Sequence, residues 1–577
     1  MAVENAVHKY IYDVIPAQAG IQQVKKRFSP TALDLFIEEK SVVGKALDSR
    51  LRGNDNAGLV GSRPYVVSYI RNSRQGLTPN QLNGDDASTM TTSQAVSKYG
   101  FSWALLVGSA IFLWLLRQSF LLNDGDTLWH IATGRWILEN KAIPFSDPFS
   151  HTLRGAPWVA HEWLADVLLA AAYAVSSLNS VIVLAAAAYA IAFALLTRYL
   201  MRHIVPIYAL LFVALAWGLS VNHMLARPHA IVVPLLVFWS ISLATARDAD
   251  HTPPLWLAVV VALWANLHGS FPLALVIAGA FAAEAMFDEK GRLRQDAFKS
   301  WGLFLLASFI ATLLTPHGIG GWHFVSQVHD MDFSMNTISE WRSTDFSKLS
   351  ALEVWLLMAA ALVLLRGFKL PLFRLLLLLG LVHLALKHGR HTGLLGMLAP
   401  IIVAQPFGAQ WKNNVSAEGH AAGLDRVFEK LAQPAGRVAT LITVIALAIV
   451  GVVSSRYINI QPAASAAPAA ALQAARAANV TGPVFNAYEF GGYLIFSGVA
   501  PFIDARADLY GDAFIKNKYY LAVGTKASEI LPGILNDHKI TWTILQPQLP
   551  AVALLDQLPG WRRLYADDNA VVHVKQE

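Results

Sequence analysis

A succession of apolar segments fills the middle of the chain and restricts what it can fold into. They lie at residues 101–122, 179–200, 204–221, 228–246, 254–266, 271–287, 301–315, 352–366, 369–387, 391–405 and 437–454. A helix of about 20 apolar residues crosses a bilayer. The chain is 55% hydrophobic and only 15% charged, whereas soluble domains carry about 25% charged residues. The sequence therefore predicts an α-helical polytopic membrane protein with about 11–13 transmembrane helices, in a transmembrane domain that covers residues 96–456.

The N-terminal residues 1–95 differ from the rest, because they contain no spanning segment and no sustained helical or strand period. Residues 14–22 and 47–55 resemble peptides encoded by a dispersed bacterial intergenic repeat. We interpret residues 1–95 as a disordered leader and Met90 as the true start of the protein. The alternative is a basic arm that binds the membrane surface or directs targeting, although no signal-peptide apolar region is present.

The C-terminal residues change character again after the last apolar segment. Residues 457–479 are rich in Ala and Pro and read as a linker. Residues 480–577 alternate extended and helical patterns, which predicts a small α/β domain. The predicted extended pieces are 482–486, 492–496, 501–504, 540–546 and 568–575, and the predicted helices are 512–523, 527–537 and 550–558.

The basic residues predict the orientation in the membrane. The loops at 287–299, 366–369 and 406–436 carry Lys and Arg and are placed in the cytoplasm. This puts the loops 123–178 and 316–350, with the C-terminal domain, on the periplasmic side. The helix predicted at 161–175 must then lie at the outer interface, because a further crossing would reverse every later loop. The alternative is an ordinary second span.

Polar residues on this outer side are the candidates for chemistry. Asp124 and Asp126 directly follow the first apolar segment, where adjacent low-dielectric material raises the basicity of a carboxylate. Either one is a candidate base for an acceptor hydroxyl. Cationic groups at helix ends suit a phosphate leaving group. A base and a phosphate-binding group together at a bilayer surface suggest attack on a sugar that is linked to a lipid through phosphate. The residues predicted to bind this lipid phosphate or the sugar are Arg390, Lys387, His391, Arg227, His130, His161, Glu162 and Glu340.

Each of these residues also has an ordinary structural interpretation. Arg and Lys at helix ends reach the headgroups of a bilayer without any catalytic role, and Asp126 is also a suitable helix cap. A polar run after a predicted strand in the C-terminal domain indicates a local network of ion pairs and turns. That run contains Asp504, Arg506, Asp508, Tyr510 and Asp512. The alternative for this region is acceptor recognition, with Tyr488 and Tyr493 stacking on sugar rings.

Composition excludes several classes of function. The chain has no Cys, so thiol catalysis, thiolate metal sites and disulfides are ruled out. Its formal net charge of +6 needs no nucleic acid to explain it, because cytoplasmic loops of membrane proteins are enriched in Lys and Arg.

Residues 124–175 resemble the opening of integral-membrane glycosyltransferases of the GT-C class, which use polyprenyl-phosphate sugars. In the aminoarabinose and protein mannosyl branches, an Asp-Glu pair precedes an aromatic-rich helix, a Pro-rich turn and a Lys-Pro-Pro or His-Pro-Pro motif. Asp126 matches the Asp of that pair, residues 129–138 match the helix, and residues 143–150 match the turn. His161 and the two residues after it take the place of the final motif.

This chain departs from the pattern at two points. Thr127 stands where those branches have Glu, and no Pro-Pro follows His161. Asp124 then becomes the second acid, and the overall pattern resembles an uncharacterised bacterial branch of the class. Some members of the class are metal-dependent, so Asp124 and Asp126 are also the predicted ligands of a divalent cation, Mg²⁺ or Mn²⁺.

The resemblance implies a GT-C-like fold and a glycosyltransferase of the bacterial inner membrane, with its C-terminal domain in the periplasm. The enzyme would transfer a sugar, with inversion, from a polyprenyl-phosphate donor to a periplasmic glycan, lipid or protein. Its partners are the lipid bilayer, that donor and that acceptor, and no nucleic acid. Two alternatives stay open, a transporter or flippase of lipid-linked sugars and a non-catalytic membrane assembly factor for an envelope polysaccharide. Transporters usually keep their ionisable residues near the bilayer midplane, whereas most here lie at the ends of the apolar segments.

Overall fold

A computed structural model describes residues 100–287, 290–411 and 423–576 of the chain. Within these residues the chain is mainly helical, with one small sheet near the C-terminus. The helical, polytopic fold with a C-terminal α/β domain is thereby confirmed. The predicted leader and the predicted start at Met90 lie outside the described residues.

Fifteen α-helices precede the C-terminal domain and its connection in the described part of the chain. The first eight are α1 (Trp103–Leu115), α2 (Asp126–Asn140), α3 (Trp163–His203), α4 (Pro206–Ser220), α5 (Pro228–Asp248), α6 (Ala258–Leu267), α7 (Pro272–Met286) and α8 (Gln295–Thr312). The next seven are α9 (Gly320–His329), α10 (Asp332–Thr337), α11 (Ala351–Arg366), α12 (Leu372–Lys387), α13 (Thr392–Trp411), α14 (Gly423–Ala432) and α15 (Arg437–Tyr457). Short 3₁₀ turns lie at Ser119–Leu122, Val221–His223, Leu255–Leu257, Ser339–Trp341 and Gly389–His391.

Every predicted apolar segment overlaps one of these helices. In the described residues, five helical stretches are long and apolar enough to cross a membrane by length and composition. They are Trp163–His203, Pro206–His223, Pro228–Asp248, Gly389–Trp411 and Arg437–Tyr457. The remaining helices at the predicted spans do not meet these two criteria, because they are shorter or less apolar.

Helix α3 changes direction at Ser176 and Ser177, where Ser177 has a φ of 54°. Ser176 Oγ donates a hydrogen bond to the carbonyl of Ser455 near the end of α15. At the other end of this first arm, Trp163 Nε1 donates to Asn266 Oδ1 at 2.8 Å. Both ends therefore contact segments that the sequence predicts on the outer side, which is the arrangement that an interfacial helix requires.

A buried ion-pair cluster ties three helices together at the predicted cytoplasmic end. Arg374 of α12 is only 3% exposed. It pairs through Nε with Glu284 of α7 at 2.8 Å and through Nη2 with Asp248 of α5 at 2.5 Å. Buried charges persist only when they are paired, so this cluster fixes the packing of α5, α7 and α12 away from the outer side.

The C-terminal domain has a four-stranded sheet with the order β1, β2, β4, β3. The strands are β1 (Val484–Asn486), β2 (Trp542–Leu545), β3 (Trp561–Ala566) and β4 (Val571–Lys575). The accompanying helices are α16 (Ala469–Ala477), α17 (Gly491–Phe496), α18 (Ala507–Phe514), α19 (Ala527–Asp537) and α20 (Pro550–Gln557). A 3₁₀ turn, Tyr488–Phe490, precedes α17, and a π-helix, Ile515–Tyr520, and the short helix Leu521–Val523 follow α18.

Pairing in this sheet is mixed. Strands β1 and β2 are parallel, whereas β4 is antiparallel to both β2 and β3. The buried side chains of the domain form their own apolar core, separate from that of the long helices. The domain therefore has the independent core expected of a small α/β module.

The structure corrects three details of the prediction. Residues 501–504 were expected to be an extended piece, but they belong to no strand of the sheet. Residues 492–496 were expected to be extended, but they form helix α17. Strand β3 was not predicted, because the adjacent Arg562 and Arg563 interrupt the alternation of apolar and polar residues. Predicted pieces at 540–546 and 568–575 coincide with β2 and β4.

Candidate active site

A cavity of about 1070 Å³ lies between the C-terminal domain and the helix ends that the sequence predicts on the outer side. All but one of the site residues predicted from the sequence line it. They are Asp124, Asp126, His130, His161, Glu162, Arg227, Glu340, Arg390 and His391. Lys387 is not among its lining residues, and its side chain is exposed at the end of α12.

Three carboxylates converge on one guanidinium in the acidic corner of this cavity. Arg227 Nη2 forms an ion pair with Asp124, lies 3.0 Å from Asp126 Oδ2 and lies 3.2 Å from Glu340 Oε1. Its Nη1 also donates to Glu340 Oε2 at 3.2 Å. The acids come from two distant loops, so Arg227 joins the beginning of α2 to the turn Ser339–Trp341.

The side chain of Asp126 does not cap helix α2. Asp126 is the first residue of α2, and Gly125 occupies the N-cap position. The backbone N–H of Asp126 donates to Asp124 Oδ1 at 2.6 Å, so Asp124 closes a local turn just before the helix. Burial, and then the charge of Glu340, raise the pKa of Asp126 well above its ordinary value. A raised pKa is what a carboxylate base requires near neutral pH.

Glu340 links the acidic corner to a second cation. Arg390 Nη1 lies 3.8 Å from Glu340 Oε2, and its guanidinium stacks over Trp341 with 4.4 Å between Cζ and the ring centre. Although burial alone would raise the pKa of Glu340, Arg227 and then Arg390 lower it. A contact as long as that of Arg390 leaves the guanidinium able to bind a further anion.

Histidine side chains and two acids, Glu162 and Asp166, form a second group of polar residues in the cavity. His130 is 3% exposed, and its Nδ1 lies 2.7 Å from Asp166 Oδ1. Its Nε2 lies 3.5 Å from Glu162 Oε2. Both ring nitrogens of His130 therefore face carboxylates.

Glu162 also contacts two further imidazoles. His161 Nε2 lies 3.6 Å and His268 Nε2 lies 3.4 Å from Glu162 Oε1. Burial alone would lower the pKa of His161, but Glu162 raises it above its usual value. His268 differs, since the N–H of Ser270 donates to its Nδ1 and burial lowers its pKa to about 4. The N–H of His268 therefore lies on Nε2, which faces Glu162 Oε1.

Asp166 and His268 also line the cavity, but the sequence analysis did not predict them as site residues. Asp166 stands one turn after Glu162 as an isolated acid in an otherwise apolar helix. Such an acid usually indicates a functional residue, so the sequence could have identified it. His268 belongs to a short polar break between α6 and α7, and its proximity to Glu162 depends on tertiary packing.

The C-terminal domain closes one side of the cavity and packs directly against the loop that carries the acids. A Cβ at Gly125 would lie 2.7 Å from the carbonyl oxygen of Glu489, and a Cβ at Gly492 would lie 2.2 Å from that of Gly125. Both positions therefore require glycine because backbone atoms approach closely. The turn before α17 holds the Asp124–Asp126 segment in place.

We expect Gly492→Ala to displace this segment and to destabilise the folded protein, since a methyl group has no room beside the oxygen of Gly125. Forced overpacking costs about 1–3 kcal/mol. The matched control is Gly533→Ala in α19, where an added Cβ meets no atom within 4 Å. Thermal unfolding of both variants checks this, and equal unfolding temperatures would contradict it.

The predicted divalent cation does not fit the arrangement of the acids. Arg227 lies between Asp124, Asp126 and Glu340 and already supplies positive charge at the position that an ion would take. Within the residues that the structure describes, no group of at least three His, Asp or Glu side chains is arranged to hold a metal. No step of the reaction is therefore routed through a cation.

Comparisons with known proteins give limited further information. No protein-family model matches the chain, and no curated protein does. Among solved structures, the chain is similar to an oligosaccharyltransferase of Archaeoglobus fulgidus in the apo form, with 10% identity and a TM-score of 0.44. The similarity covers 76% of this chain and 69% of that chain.

Proposed function

We propose that this protein is an inverting glycosyltransferase that moves a sugar from a polyprenyl-phosphate donor to an acceptor hydroxyl. In this proposal the cavity opens at the periplasmic face of the bacterial inner membrane. The acceptor is a glycan, a lipid or a protein. The observation that carries the proposal is a buried carboxylate of raised pKa, Asp126, sharing one cavity with the guanidinium of Arg390.

The two groups divide the work of a displacement at the anomeric carbon. Asp126 takes the proton of the acceptor hydroxyl as its oxygen forms the new bond to that carbon. The bond from the anomeric carbon to the phosphate oxygen breaks, and its electron pair stays on the phosphate. Arg390 neutralises the charge that develops there, with His391 beside it. Attack from the face opposite the phosphate inverts the anomeric centre.

Aromatic side chains supply the walls in which a sugar would lie. Trp129, Trp158, Trp322, Trp341 and Tyr488 line the cavity. Flat aromatic faces with polar edges pack against apolar surface while hydrogen-bonding at one end. Tyr488 lies in this wall as proposed for acceptor recognition, whereas Tyr493 is not among the lining residues.

The role of Arg390 is tested by comparing Arg390→Met with Lys387→Met. These positions are three residues apart, yet only Arg390 lines the cavity. In liposomes supplied with a panel of polyprenyl-phosphate sugars, we expect Arg390→Met to lower kcat/KM by about tenfold to a thousandfold. Lys387→Met is expected to keep the wild-type value.

The two measured outcomes that oppose the proposal are distinct. Equal losses in both variants would assign the effect to general positive charge at the membrane surface. Movement of the intact lipid-linked sugar across the liposome membrane without release of polyprenyl phosphate would instead identify a flippase.

A further inference from the structure

We infer that Arg227 is a built-in cation, which occupies the position of a divalent metal ion among Asp124, Asp126 and Glu340 and makes this site metal-independent. Only the expected effect of Arg227 on sugar transfer rests on the proposed function. The displacement of metal by Arg227 is a property of the folded protein, and it can be measured without any substrate.

The contacts of Arg227 are the first argument. Both terminal nitrogens of its guanidinium contact carboxylates, and Nη2 contacts all three acids of the corner. Among the residues that the structure describes, the buried Nε atom has no hydrogen-bond partner. The carboxylates therefore hold the guanidinium through its Nη atoms, at the point where their oxygens converge.

Charge balance is the second argument. Asp124, Asp126 and Glu340 bring three acidic groups within reach of one point, and carboxylates this close repel each other when ionised. Arg390 contributes only a long contact of 3.8 Å to Glu340. A positive charge at the centre is therefore needed for the corner to assemble, and Arg227 is the group that provides it.

The backbone delivers Arg227 to this position. It directly precedes Pro228, the first residue of α5, and has an extended conformation with φ −115° and ψ 171°, as expected before proline. The neighbouring N–H of Ala226 donates to the carbonyl of Leu121 at 2.8 Å. This bond ties the segment to the turn that leads into Asp124.

A guanidinium and a metal ion have different chemical consequences. Arg donates hydrogen bonds and keeps its proton, so it orients carboxylates without accepting their electron pairs. Asp126 thus keeps a lone pair for the acceptor hydroxyl. Hard cations such as Mn²⁺ bind carboxylate oxygens directly. The three carboxylates are not arranged around an ion while Arg227 is present, so its removal should let them turn toward a cation and create a metal site.

The test measures Mn²⁺ binding to the purified full-length protein by electron paramagnetic resonance, alongside transfer in the presence of EDTA. We expect no Mn²⁺ bound at this corner in the wild type and no loss of transfer in EDTA. We expect Arg227→Met to bind Mn²⁺ with an affinity more than about a hundredfold above the detection limit set by the wild type, because a repelling charge has been removed. Adding Asp124→Asn to Arg227→Met should abolish that binding.

Arg227→Lys is the control that retains the positive charge, and it should exclude Mn²⁺ as the wild type does. The inference is overturned if the wild type binds Mn²⁺ and loses it on Asp126→Asn, or if EDTA stops transfer and Mn²⁺ restores it. It is also overturned if folded Arg227→Met binds no Mn²⁺. If Arg227→Met does not fold, the wild-type and Arg227→Lys measurements decide the question. A wild type that transfers no sugar would contradict the proposed function alone, since the binding result is read separately.

Discussion

Replacement of Asp126 by Asn is expected to lower sugar transfer by about 10²–10⁴-fold, the usual contribution of a positioned base. The amide keeps the shape of the side chain but does not accept the proton of an acceptor hydroxyl. Folding should be retained, because the side chain of Asp126 does not cap α2 and its backbone N–H keeps the bond to Asp124. Initial rates and melting temperatures of the two proteins provide the measurement.

The pH profile of the wild type adds an independent test of the same group. Burial and Glu340 raise the pKa of Asp126 well above 3.8. A base acts only when deprotonated, so transfer should fall as the pH drops through this raised pKa. The acidic limb should therefore have its midpoint well above that of an ordinary Asp, and Asp126→Asn should lack it.

Asp345→Asn is the matched control, because Asp345 is an exposed carboxylate in the same outer loop as Glu340. It should keep the wild-type rate and acidic limb. Normal turnover by Asp126→Asn, or an unchanged acidic limb in that variant, would remove Asp126 from the proposed role.

The sequence predicted the helices and most of the cavity residues for a simple reason. Apolar length is a local property, and polar residues at helix ends fall on one side once the orientation is assigned. The sequence did not predict that Arg227 pairs with Asp124 and Asp126, because this contact depends on how α5 packs near α2. It also did not separate Lys387 from Arg390, which stand at the end of α12 and in the following 3₁₀ turn.

The C-terminal domain shows where pattern reasoning reaches its limit. Residues 492–496 have the composition of a strand, but they form helix α17, in which Gly492 lies close to the backbone of Gly125. The polar run after Ile503 was interpreted as a local network of ion pairs and turns. The structure shows that network, with Arg506 and Tyr510 both bonded to Asp504, and shows that it also reaches Asp147, far away in sequence.

The second large effect is expected for Arg506→Met, which should destabilise the folded protein by about 3–5 kcal/mol, the cost of breaking a buried ion pair. Arg506 is 2% exposed and donates to Asp504 through Nε and Nη2 at 2.8 and 2.7 Å. Its Nη1 donates to Asp147 at 2.7 Å. Removing the guanidinium leaves two buried carboxylates without their cation, and one of them belongs to the loop before α3.

The same domain offers a control with similar chemistry and little burial. Arg563 pairs with Asp556, but 46% of the Arg563 side chain is exposed, and such pairs contribute about 0.2–1 kcal/mol. Arg563→Met should therefore leave unfolding nearly unchanged. Arg506→Met should lower the unfolding temperature and expose the loop around Asp147 to protease, because Arg506 joins that loop to the C-terminal domain. Equal unfolding of the two variants would show that the loop is held by its other contacts, such as the bond from Thr152 Oγ1 to the carbonyl of Phe502.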